Sequence, residues 1–144
     1  MPTFSSILDE SPEEVLRPKP LPVGTYLCRV SGPVKYDKSQ KKGTEFSEFT
    51  LIPIDALDDV DSDELAEAGG IDGKTLRNTF YHTEDAIYRL DEFHEHCGID
   101  LSDGNSRRAR NDEVINAEVL AVVKHTPSDD GSRVYTNIAR TAKP

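Results

Sequence analysis

Apolar and polar residues alternate with a period of two in three early stretches of the chain, the signature of half-buried strands. Tyr26, Cys28 and Val30 alternate with Leu27, Arg29 and Ser31. Phe49 and Leu51 share one face of a second run, with Phe46, Glu48, Thr50 and Ile52 on the other. Leu76, Asn78 and Phe80 alternate with Thr75, Arg77, Thr79 and Tyr81. These patterns predict strands over 24–31, 45–54 and 74–81. The period then changes: Ile87, Leu90, Phe93, His94 and Cys97 recur at helical spacing and predict one amphipathic helix over 84–97. Thr83 is a good N-cap, Glu84 and Asp85 suit the positive end of the helix dipole, and Gly98 stops the helix. Two further strands are expected over 116–124, apolar on both faces, and 133–140, with Val134, Thr136 and Ile138 on one face.

The connections complete the plan. Gly32-Pro33 is expected to end strand 1. The run VKYDKSQKKGT over 34–44 reads as a flexible, basic loop between strands 1 and 2. Pro53 weakens the far end of strand 2, because proline donates nothing to a ladder. Residues 55–72 form an acidic insertion between strands 2 and 3, in which Asp61 or Ser62 caps a short helix through Ala68, closed by Gly69-Gly70. Residues 100–111 read as a polar loop with Arg107, Arg108 and Arg110, and 126–132 as a hairpin turn. Residues 1–20, with Pro12, Pro18 and Pro20, read as a flexible acidic arm ahead of one domain over 21–144. The expected class is all-β with one helix. The order β-β-β-α-β-β is that of the OB-fold, a five-stranded Greek-key barrel that binds through its strand 2–3 face and the 1–2 and 4–5 loops.

Charge changes the picture less than its total suggests. The net charge is −10, which on its own argues against a nucleic-acid partner. Yet eleven of the 27 acids sit in two base-free blocks, over 9–14 and 55–67, leaving sixteen against seventeen Lys and Arg. The expected barrel is therefore near neutral, with local basic clusters. No apolar run approaches the roughly 20 residues that a membrane helix needs, and the N-terminus lacks the pattern of a secretory signal. Cys28 and Cys97 stand far apart and read as two reduced thiols of a cytoplasmic protein.

The candidate chemistry is nucleic-acid binding. If Cys28/Val30, Phe49/Leu51 and Leu76/Phe80 face the core, then Arg29, Phe46, Arg77 and Tyr81 share the opposite face. Cations for phosphates and rings for bases are what a single-strand binder needs. Lys35, Tyr36, Lys38, Lys41 and Lys42 lie in the adjoining loop, and Lys124, Arg133 and Tyr135 flank the 4–5 loop. Glu48 shares the proposed face and opposes phosphate. His94, His96 and Cys97 have poor spacing for a metal, since His96 leaves the helix face that His94 and Cys97 share, and no metal or other cofactor is expected. The aspartates over 55–63 lack the register of a calcium loop. No nucleophile–base arrangement or phosphate loop stands out, so no enzyme activity is expected. The acidic blocks could compete with DNA for the basic groove or recruit basic partner proteins. The alternative function is an acidic protein-interaction module or DNA mimic.

The runs LPVGTYLCRV, KKGTEFSEFTLIPID, GKTLRNTFY and VYTNIAR resemble small phage-encoded single-stranded-DNA-binding proteins with an OB-fold, over roughly residues 21–141. The resemblance implies sequence-independent coating of single-stranded DNA in phage replication or recombination, in the host cytoplasm, alongside replication or recombination proteins. It allows dimers or cooperative assembly. It places the binding role on Arg29, Phe46, Arg77, Tyr81 and the lysine loop over 35–42.

Overall fold

The computed structural model describes residues 20–131 and 134–144. The expected arm, apart from Pro20, and Arg133 lie outside the described residues. Five antiparallel strands form one sheet: β1 (Gly24–Lys38), β2 (Glu45–Ala56), β3 (Leu76–Tyr81), β4 (Glu118–Pro127) and β5 (Val134–Ala142). The ladder order is β3-β2-β1-β4-β5. The two outer strands, β3 and β5, approach each other across a cleft, so the sheet curls but stays open at that seam.

The described residues hold three short helices, one more than the amphipathic helix and the short insertion helix that the sequence predicts. They are α1 (Ser62–Glu67), α2 (Tyr88–His96) and α3 (Arg107–Glu113), with a 3-10 turn at Leu101–Asp103. Helix α1 follows the sequence expectation, since the Asp61 carboxylate accepts from the backbone N–H groups of Asp63 (2.9 Å) and Glu64 (3.1 Å). Helix α2 begins later than expected. Thr83 caps only a preliminary turn, with its Oγ1 3.2 Å from the Ala86 N–H, and the regular helix starts at Tyr88. The buried face of α2 is the expected one: Leu90, Phe93 and His94. Helix α3 replaces the expected polar loop. Ser106 caps it by accepting from the Ala109 N–H (3.1 Å), and its buried positions are Arg110 and Asn111, followed by Val114 at the C-cap.

The core sits inside the curl of the sheet. Tyr26, Cys28 and Val30 of β1, Phe49 and Leu51 of β2, Leu76 and Phe80 of β3, and Val119, Ala121 and Val123 of β4 point inward. Phe93 of α2 completes an aromatic cluster, 4.9 Å from Phe49 and 5.1 Å from Phe80 between ring centroids. The buried Tyr26 hydroxyl donates to the Pro22 carbonyl at 2.7 Å, which fixes the lead-in to β1. The acidic insertion is pinned to the start of β1. Thr25 donates through its N–H and its Oγ1 to the two Asp59 carboxylate oxygens (2.9 and 2.8 Å). These bonds hold the Asp59 carboxyl below its usual range. Gly24, with φ +142°, allows that approach, because a Cβ there would stand 2.6 Å from Val60 Cγ2.

Strand β1 also differs from expectation. It does not stop at Gly32-Pro33 but continues to Lys38, so most of the expected loop is a strand. The ladder breaks between Ser31, opposite Thr50, and Lys35, opposite Glu48. Proline is tolerated in such a break because no ladder donor is needed there.

Candidate nucleic-acid interface

The outward face of β1, β2 and β3 follows directly from the inward set. Arg29, Phe46, Arg77 and Tyr81 belong to it, as the sequence suggested, and Lys35, expected in the adjoining loop, joins them opposite Glu48. Phe46 and Tyr81 are cross-strand partners, with centroids 5.9 Å apart and ring planes at 68°. Tyr81 is 45% exposed. An edge-to-face contact of this kind is favourable and leaves ring surface uncovered.

Carboxylates share the face. Glu48 lies opposite both Lys35 and Thr79. Its Oε2 accepts from the Thr79 hydroxyl (3.1 Å), and its Oε1 is 4.0 Å from the Arg77 Nε. The Glu48 side chain is 18% exposed against 74% for Arg77, so the cation stands above the acid. Arg29 lies opposite Glu118 of β4. Asp37 accepts from the Lys38 N–H at 2.8 Å.

The remaining lysines cluster where β1 turns into β2. The turn over 39–44 closes with Ser39 N–H to the Thr44 carbonyl (2.8 Å) and Gly43 N–H to the Ser39 carbonyl (2.9 Å). Lys35, Lys38, Lys41 and Lys42 are all exposed there. Phe46 stands opposite Asp37, immediately below this turn, so the ring pair and the lysine cluster occupy the same end of the sheet.

Tyr36 is placed differently from the other expected residues. It lies opposite the buried Ser47, on the inward side of the hairpin. Its hydroxyl accepts from Asn111 Nδ2 (3.1 Å), and the Arg108 guanidinium sits 4.8 Å above its ring. Tyr36 therefore seats a cation, a stabilising arrangement for an aromatic face. Asn111 uses its Oδ1 to accept from His94 Nε2 at 2.7 Å. His94 is fully buried, and burial lowers its pKa. Arg107 donates to both Asp91 oxygens (2.9 and 3.0 Å), which ties α3 to α2 and holds the Asp91 carboxyl below its usual range. Arg108 and His82 join Tyr36, Lys38 and Phe46 around a cleft of about 220 Å³, which Asp37 and Glu45 also line. Sequence reasoning missed both residues as parts of the site. The Arg107/Arg108/Arg110 run was visible, but its contact with Tyr36 is not local.

The last expected group separates. Tyr135 is 54% exposed opposite Thr126 on the β4–β5 hairpin. Lys124 lines the cleft between β3 and β5 instead of joining the Phe46–Tyr81 face. His96 Nδ1 is 2.8 Å from Thr141 Oγ1, away from the His94–Asn111 contact, so the two histidines are engaged apart. Cys28 and Cys97 are free thiols, each pushed up to about 12 by burial. Among the described residues no helix is long and apolar enough to cross a membrane. No protein-family model matches the chain, and no curated protein matches it in sequence.

Proposed function

We propose that this chain binds single-stranded DNA without sequence preference and without catalysis, as a phage-type coating protein of replication or recombination. The observation that carries the reading is the pair of half-buried Phe46 and exposed Tyr81 beside Lys35, Lys38, Lys41 and Lys42, with Arg77 and Arg108 at its margins. Rings accept bases of any identity, and the cations track phosphates. The ladder order β3-β2-β1-β4-β5, with the free edges of β3 and β5 brought near each other, supports an OB barrel left open at one seam. In such a barrel the β2–β3 face and the β1–β2 turn are the expected contact surfaces.

Fluorescence anisotropy with labelled oligo-dT at about 50 and about 200 mM salt tests the reading. Binding at low salt should weaken steeply as counterions compete. Replacing Lys41 and Lys42 by Gln should flatten the log–log salt slope by about 0.7 per lost phosphate contact. No binding at low salt would overturn the proposal.

The acidic end of the β1–β2 hairpin favours a second reading. Asp55, Asp58, Asp59, Asp61, Asp63 and Glu64 are all exposed there, a surface suited to a basic protein partner. Retention of such a partner, with no retention of DNA, would select that reading.

A further inference from the structure

The seam between β3 and β5 encloses a cleft of about 390 Å³. Three cations reach it from three different elements: Arg89 from α2, Lys124 from β4 and Arg140 from β5. Glu92 is the one carboxylate among the described residues that line it. Arg89 Nε has the Tyr88 hydroxyl at 3.5 Å, and among the described residues no ion pair engages Lys124 or Arg140. Like charges gathered around one cleft repel each other, and the same field concentrates anions. Arginine forks suit phosphate oxygens in particular. Asn78 and Thr79 add neutral polar groups from the β3 side.

Strand β3 connects this cleft to the ring pair. Arg77 and Tyr81 lie on its outward face, and the seam opens along its free edge. A polyanion lying across β2 and β3 has this cleft directly beyond β3. We propose that the seam is a second phosphate-binding segment, which holds the phosphodiester backbone of the bound strand after it leaves the Phe46–Tyr81 face. The inference rests on the single-strand reading above. It extends the binding track beyond the face that the sequence indicated.

The test uses the full chain, a Lys124→Gln/Arg140→Gln double variant and a Glu92→Gln variant. Each is titrated with dT oligomers of about 5 and about 16 nucleotides, the short and long ends of the site sizes such folds occupy. The double variant should match the unaltered protein on the short oligomer, which also reports that it is folded. On the long oligomer its salt slope should fall by about 1.4, two contacts at about 0.7 each. Glu92→Gln should tighten the long oligomer alone. Equal long-oligomer slopes for the double variant and the unaltered protein would overturn the seam proposal and leave the function standing. So would equal weakening on both lengths. Failure of the unaltered protein to bind either oligomer would remove the function and the seam together.

Discussion

Replacing Tyr81 by Ala should separate stacking from charge. Tyr81 meets Phe46 edge-to-face at 5.9 Å and keeps 45% of its surface exposed, so one ring face remains for one base. A stacked base contributes about 1–3 kcal/mol. At about 1.4 kcal/mol per factor of ten, Kd should rise between about 5-fold and about 150-fold. The variant removes no charge, so the salt slope of oligo-dT binding should not change. The cost to folding should be small, about 0.5–1 kcal/mol for the lost aromatic pair. Tyr81→Phe should bind nearly as the unaltered protein does, since stacking uses the ring and not the hydroxyl. The assay is anisotropy at two salt concentrations, with a urea titration to confirm the fold. An unchanged Kd for a folded Tyr81→Ala protein would refute stacking at this pair. A slope that falls together with affinity would also refute it, because the ring would then be acting by ordering neighbouring cations.

Other consequences can be measured in parallel. Phe49→Ala should cost about 3–5 kcal/mol, seen as a lower urea midpoint with an unchanged m-value, because Phe49 is fully buried between Phe80 and Phe93; a loss below about 1 kcal/mol would contradict the packing. His94 is buried among Asn111, Asp91, Arg107 and Arg110, and its pKa is depressed below the ordinary 6.5. The unfolded chain therefore binds the extra proton, and stability is whole above pH 6.5 and falls as the pH drops below it. Melting curves at about pH 7.5 and about pH 5.5 should show this loss, and His94→Gln should reduce it. Asp58→Asn with Asp63→Asn should tighten oligo-dT binding at about 0.01 M ionic strength and leave it unchanged at about 0.15 M.

The inward faces were legible because each is carried by a local period: 26/28/30, 49/51 and 76/80 in the strands, 90/93/94 in α2. The Asp61 cap was legible for the same reason. Helix α3 was not, because its buried positions hold Arg110 and Asn111, so no apolar stripe marks it. Those polar residues are retained by distant partners: Arg110 donates to the Leu101 carbonyl at 2.8 Å, and Asn111 bridges His94 and Tyr36. The continuation of β1 past Pro33 was hidden by a ladder break that only the pairing with β2 reveals. At the candidate site, Arg29, Phe46, Arg77 and Tyr81 follow from alternation alone, whereas Lys35 joins their face only through the pairing beyond the ladder break. The roles of Tyr36 and Lys124 depend on α3 and on the seam, both products of tertiary packing.

The remaining objection to a DNA ligand is the net charge of −10, and the geometry of β1 answers it. The acidic insertion is fastened to Thr25 at one end of the strand through Asp59. The lysine cluster begins at Lys35 and ends beyond the other end, at Lys42. At about 3.3 Å per residue, Thr25 and Lys38 stand at most about 43 Å apart along the strand. The ladder breaks in β1 shorten that span, yet even half of it exceeds two Debye lengths of about 8 Å at physiological salt. A phosphate at the Phe46–Tyr81 end then responds to the nearby lysines, to Arg77 and to the local carboxylates Asp37, Glu45 and Glu48, and hardly to the acids of the insertion. Dilute buffer removes this insulation, because the Debye length grows to about 30 Å at 0.01 M and the two ends interact. The repulsion that total charge implies therefore belongs to low ionic strength, and neutralising Asp58 and Asp63 should act only there.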